Sequence, residues 1–145
     1  MFTLEENKEI ALNVSRAILN GKWNELDTLL DDGFTYTGDG FHFNKNEYIG
    51  FMQDMKAAFA GLDMKFPNIV AEGQYVSIRF ISTAVNTGSF MGAPANKKNL
   101  EIHGIFIRKI ENLGVMRQIG FGALFGYALF VGLFKVKQKP PVRKS

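Results

Sequence analysis

Cysteine is missing from these 145 residues, and histidine occurs only at His42 and His103. Without thiols there can be no disulfide, no thiolate nucleophile and no cysteine metal ligand. Two imidazoles are too few for a histidine-built metal centre, so neither metal nor any other cofactor is expected. A basic, then apolar leader is also missing: Met1 to Glu9 is polar and acidic, which argues against a secretory signal and for a cytoplasmic location. An excess of basic charge is missing everywhere but in one place. The stretch from Lys135 onward holds Lys135, Lys137, Lys139, Arg143 and Lys144 and no acid, so the remainder carries twelve bases against fourteen acids, and the formal +3 belongs to the tail. A clustered basic face of the kind that reaches phosphates is therefore not expected, nor is a nucleic-acid partner.

The one membrane-like stretch, Ile119 to Phe134, is sixteen uncharged residues. As a helix it would reach about 24 Å against a hydrocarbon core of about 30 Å. Its Gly120, Gly122, Gly126 and Gly132 weaken a helix further. Membrane contact is the lesser reading, although a basic flank follows the run.

What is abundant is phenylalanine, at fourteen residues. A chain of this length forms one domain able to bury roughly 70% of its unfolded surface, and a plain core does not require so many rings. The expected division is a single domain over 1–138 and a basic, disordered tail over 139–145.

Thr3 with Glu6 forms a capping box, and Ile10, Val14, Ala17 and Ile18 recur at helical spacing, predicting a helix over about 4–19 that stops at Asn20-Gly21. Trp23, Leu26, Leu29 and Leu30 predict a second, shorter helix ending at Asp31-Asp32-Gly33. Phe34 to Thr37 reads as a strand turned by Gly38-Asp39-Gly40. Asn44 with Glu47 caps a third helix whose apolar stripe runs Tyr48, Phe51, Met52, Met55, Phe59, Leu62. Met64 to Ala71 looks extended, with Pro67 marking an edge strand or bulge. Gln74 to Val85 alternates, placing Val76, Ile78, Phe80 and Ala84 on one face and Tyr75, Ser77, Arg79, Ile81 and Thr83 on the other. A long loop over 87–98, then strands over 100–110 and 115–122, complete the order. Helices followed by a run of antiparallel strands mean α+β.

That order resembles the cone of the nuclear transport factor 2-like superfamily, in which N-terminal helices pack on a curved, mostly antiparallel sheet. Local motifs narrow the resemblance to the SnoaL-like polyketide cyclases. Trp23 to Phe34 is similar to the family's Trp, Leu-Leu, Asp-Asp-x-Phe start, with Tyr36 following. Thr87-Gly-Ser-Phe90-Met-Gly92-Ala-Pro94 with Lys97 resembles its Thr-Gly-x-Phe-x-Gly-x-Pro loop. Ala71-Glu72-Gly73 with Val76 resembles its turn into the central strand, and Gly104 to Ile110 the strand that follows the loop. The likeness covers about 23–110 and fades after Gly114. Gln118 stands where the family has Glu, Gly120 where it has Trp, and Ala123 or Leu124 where its acid/base carboxylate belongs.

The resemblance implies an apolar pocket for a hydrophobic carbonyl compound, polyketide-like in class, and cyclase or isomerase chemistry that needs a positioned base. With the carboxylate gone, His103 is the candidate base and Tyr36 its hydrogen-bonding companion; a hydrogen-bonded structural histidine is the competing reading. Trp23, Phe34, Tyr36, Phe51, Met55, Phe59, Phe80, Met91, Phe106 and Phe121 are candidate pocket residues, most such stripes being plain core. Arg79 could meet an anionic ligand or form a surface ion pair. His42 reads as loop packing or pocket rim, Asp39 as a turn residue and Asp54 as the polar side of a helix. Two functions follow: a small-molecule-binding protein with cyclase or isomerase activity, or a noncatalytic ligand-binding or assembly module. Apolar residues on both sheet faces, such as Phe80 against Ile81, lead to an expected homodimer.

Overall fold

A computed structural model of the chain describes residues 3–112 and 114–122. Helix α1, Leu4–Leu19, opens on the expected box: the Thr3 hydroxyl accepts from the Glu6 amide at 3.1 Å while the Glu6 carboxylate accepts from the Thr3 amide. Its buried face holds Ala11, Val14, Ala17 and Ile18, with Ser15 among them. Helix α2, Trp23–Leu29, inserts Leu26 into the same core.

Strand β1, Leu30–Gly38, begins earlier than the motif at Asp31-Asp32-Gly33 suggests. Leu30 is already extended and pairs with Val115; the register then shifts before Thr35, so the acidic residues form a bulge within the strand. The Asp31 carboxylate accepts from the Gly33 amide at 2.8 Å, closing that bulge locally. His42, expected in a loop, lies instead on β2, Phe41–Asn44, opposite Thr37 and 3.0 Å from its hydroxyl.

Helix α3, Lys45–Ala58, carries the second capping box, Asn44 with Glu47. Its predicted stripe continues through Phe59 and Leu62, yet the helix stops at Ala58. The Ala58 carbonyl is taken by the Thr87 and Gly88 amides and by the Asn86 side chain, so the chain turns directly into β3, Phe59–Glu72. Strands β4, Tyr75–Asn86, β5, Asn99–Glu111, and β6, Gly114–Phe121, follow.

The six strands lie in the order β2-β1-β6-β5-β4-β3. β3 is an edge strand, and Pro67 falls within one of its two register shifts, where a missing amide donor disturbs the ladder least. Every pairing is antiparallel except β1 with β6, which is parallel. The expected α+β architecture is observed, with a mixed sheet. Val76, Ile78, Phe80 and Ala84 face the helices and are buried, as the alternation requires. Val70, Tyr75 and Ile105 are exposed; register places all three on the outward face. Among the described residues no helix is long and apolar enough to cross a membrane. The run over 119–134 and the basic tail lie, from residue 123 onward, outside the described residues.

Candidate functional site

Partners directly opposite in a sheet present their side chains to the same face. Tyr36 on β1 stands opposite Gln118 on β6, Gln118 opposite Arg108 on β5, and Arg108 opposite Val76 on β4. Register thus lines up a polar row, Tyr36, Gln118 and Arg108, on the inward face. Arg108 is only 1% exposed and Gln118 3%.

The row meets α1 and α3. The Arg108 Nη1 donates to the Ala11 carbonyl at 2.6 Å and to the Ser15 hydroxyl at 2.7 Å. Its Nε donates to Gln118 Oε1 at 2.9 Å, and Tyr48 on α3 donates to the same oxygen at 3.2 Å. The guanidinium also lies 4.2 Å from the centre of the Phe106 ring, a cation–π contact. Burial pulls its pKa below the ordinary arginine range, with Tyr48 acting in the opposite direction. An arginine side chain does not give up its proton inside a protein, so the group is a cation.

Beside this network lies a small cavity walled by Ile18, Met52, Met55, Met64, Phe80 and Phe106, with Ser15, Tyr36, Tyr48, Arg108 and Gln118 at its polar end. Its volume is about 30 Å³, room for no more than a few water molecules. Phe80 and Phe106 stack at 4.8 Å and form an apolar floor. Tyr36 is 2% exposed, and its hydroxyl has no hydrogen-bond partner among the described residues. Burial pushes the Tyr36 phenol well above its usual range, with Tyr48 and then Asp39 adding to the effect; burial likewise raises Tyr48.

Gly120 explains how the Tyr36 ring reaches this position. A methyl group at 120 would collide with the Tyr36 hydroxyl and lie about 3.0 Å from its ring. The position where the resemblance implies a tryptophan is thus emptied, and the tyrosine on the neighbouring strand occupies the space.

Of the residues singled out from sequence, Tyr36, Met55, Phe80 and Phe106 line the cavity. Phe34 packs on Tyr48 at 5.1 Å, and Phe51 and Phe59 both pack edge-on against Phe90 in the core. Trp23 is partly buried against that core beside a surface depression. Arg79 lies on the outward side near Asn68, and Met91 is exposed in the loop after β4. The Phe121 side chain lies outside the described residues. His103 stands on the outward face opposite Ile81, its side chain 54% exposed and 3.6 Å from Glu101. A base at His103 would therefore sit across the sheet from the cavity.

Arg108, Gln118, Tyr48 and Ser15 are site residues that the sequence reading did not propose. For Arg108 the signal was parity, since it is two residues from Phe106 on a strand and must share its face.

The model of the SnoaL-like polyketide cyclase family matches residues 8–118. A search of curated proteins finds no match. Among solved structures, a putative SnoaL-like polyketide cyclase from Jannaschia sp. CCS1 superposes with a TM-score of 0.80 at 16% identity, covering 93% of this chain and 98% of that one. AclR, a putative hydroxylase from Streptomyces galilaeus, gives 0.79 at 16% identity over 92% and 100%. IdmH, a putative polyketide cyclase from Streptomyces antibioticus, gives 0.73 at 15% identity over 87% and 98%. At such identities the structures establish a shared fold.

Proposed function

Because the chain belongs to the SnoaL-like polyketide cyclase family, we propose that its cone binds a small hydrophobic carbonyl compound, polyketide-like in class, with the carbonyl oxygen at the Tyr36 end of the cavity. The observation that carries this reading is Tyr36, whose buried hydroxyl is a donor without a partner among the described residues and which lines a cavity whose apolar walls are Ile18, Met and Phe side chains. Pockets of this kind, apolar with a few convergent polar groups, are the usual form of a small-molecule site. Three methionines, Met52, Met55 and Met64, border the space. Their unbranched side chains can change rotamer to admit a body larger than the present cavity.

Turnover is a separate matter. Among the described residues, the groups at the polar end are hydroxyls, an amide and a guanidinium, with no carboxylate or imidazole. This favours the noncatalytic form of the proposal over cyclase or isomerase chemistry, which needs a base at the carbon beside the carbonyl.

Acetophenone is a suitable probe. Calorimetry should give saturable binding that is lost in Ile18→Phe, a substitution that fills the cavity. Binding that ignores this substitution, or no binding by acetophenone or any other small aromatic carbonyl compound, refutes the site. Proton NMR in heavy water separates the two forms: a methyl signal that persists supports binding alone, whereas enzyme-dependent exchange into it restores the acid/base reading.

A further inference from the structure

Among the described residues every partner of Arg108 is neutral. The guanidinium is held by the Ala11 carbonyl, the Ser15 hydroxyl, the Gln118 amide oxygen and the Phe106 ring, with the Tyr48 hydroxyl also within reach. The carboxylates that form ion pairs, on Glu5, Glu9, Asp27, Asp32, Glu101 and Glu111, all pair with other residues. The titratable groups facing it are Tyr48 from α3 and Tyr36 from β1, both uncharged at neutral pH; α1 contributes only Ala11 and Ser15. Asp39, the acid felt by Tyr36, has one carboxylate oxygen taken by the Gly122 amide. A buried cation held only by neutral groups is expensive, because hydrogen bonds replace lost hydration without supplying an opposite charge.

A second observation points the same way. Among the described residues the Tyr36 hydroxyl is a donor lacking an acceptor, and Tyr36 lines the same cavity as Arg108. The two residues flank Gln118 across adjacent strands, which puts their Cα atoms roughly 10 Å apart. Two long side chains converging from that spacing can meet on one group. Among the described residues the cavity thus has a positive charge and an unused donor at one end, an apolar body, and no negative group to match the charge.

We infer that the ligand enters as an anion: a small, largely apolar molecule whose delocalised oxyanion lies against Arg108 and accepts a hydrogen bond from Tyr36. Carboxylates, phenolates and the enolates of 1,3-dicarbonyl compounds share this chemistry. The inference rests on the reading that the cone is a small-molecule site, and adds that the missing counter-charge belongs to the ligand. It also assigns Gln118 a positioning role, since its single oxygen accepts from both Arg108 and Tyr48 and fixes the direction of the guanidinium plane.

The test uses the full chain with three probes of similar shape: benzoate, acetophenone and benzoylacetone. At pH 7 benzoate should bind at least about tenfold more tightly than acetophenone, the factor that a charge-assisted hydrogen bond supplies. Arg108→Met should weaken benzoate by about ten- to a hundredfold while changing acetophenone far less. Tyr36→Phe should weaken benzoate by a smaller factor. Bound benzoylacetone should lose its proton to the buffer at a pH about one unit or more below the free compound, read from the enolate absorption band.

If acetophenone binds as tightly as benzoate and the ionisation of benzoylacetone is unmoved or shifted upward, the anion inference fails while the small-molecule site stands. If none of the three probes binds, both fall. Should Arg108→Met not fold, the comparison of probes on the unaltered chain, the enolate shift and Tyr36→Phe decide the matter.

Discussion

Replacing Arg108 by methionine should change stability far less than its hydrogen bonds suggest, and replacing its neighbour Gln118 by leucine should change it more. Arg108 makes bonds to Ala11, Ser15 and Gln118. At about 1.5–3 kcal/mol for each bond to a charged group, that is roughly 5–9 kcal/mol of gross interaction. Against it stands the desolvation of a guanidinium at 1% exposure, itself several kcal/mol. Methionine fills much of the same volume, and Gln118 Oε1 keeps the Tyr48 hydroxyl as a donor. The net change should lie within about 2 kcal/mol of zero, in either direction. Gln118→Leu is different, because the charge stays buried while Arg108 Nε and the Tyr48 hydroxyl both lose their acceptor; about 2–4 kcal/mol should be lost. The double variant should recover much of that loss. Urea unfolding checks the cycle: with a slope of about 1–3 kcal/mol per molar urea, a 3 kcal/mol loss moves the midpoint by about 1 M or more. If Gln118→Leu is harmless and Arg108→Met costs several kcal/mol, the guanidinium is a net structural support and the reasoning is wrong.

Two further expectations concern the rest of the molecule. Tyr36 and Tyr48 both have folded-state pKa values raised by burial, so the stability they contribute is complete below the ordinary phenol pKa of about 10 and is lost as pH rises toward their folded values. The unfolding free energy should fall above about pH 10 by up to about 1.4 kcal/mol per pH unit for each tyrosine. Urea midpoints from pH 8 to 11.5 will show whether Tyr48→Phe halves that slope; an unchanged slope would contradict the assignment. Val70, Tyr75 and Ile105 on the outward sheet face are expected to be covered by a second copy of the chain. Light scattering should then give the mass of two chains, reduced to one in Ile105→Lys, and a single-chain mass for the unaltered protein would remove the dimer.

The helices were the most legible part of the sequence, because capping boxes at Thr3 and Asn44 are local chemistry that the tertiary structure had no reason to override. The end of α3 was not legible. Phe59 and Leu62 continue the helical stripe, and only the distant Asn86, Thr87 and Gly88, which claim the Ala58 carbonyl, make the chain turn there. Strand parity held the answer at the site. Phe106 and His103 are three residues apart on β5 and cannot share a face, while Arg108 must lie on the side of Phe106. That parity was hidden by apolar residues on both faces, with Ile105 and Ile107 alternating against Phe106. The Tyr36 position could not be read locally, since it depends on the space left by Gly120 on a strand far along the chain.

The parallel seam between β1 and β6 has a consequence for the order in which the protein assembles. The early helices, the β1–β2 hairpin and the β3–β4–β5 meander can form from neighbours in sequence. Tyr36 meets Gln118 only when the last strand inserts between β1 and β5. Contacts between such distant parts of a chain form slowly, because the loop must close before they give any return. Until then two strand edges stand open at once, each a template for a stray strand. The chemistry of the cavity and the closing of these two inner edges are therefore completed in the same late step.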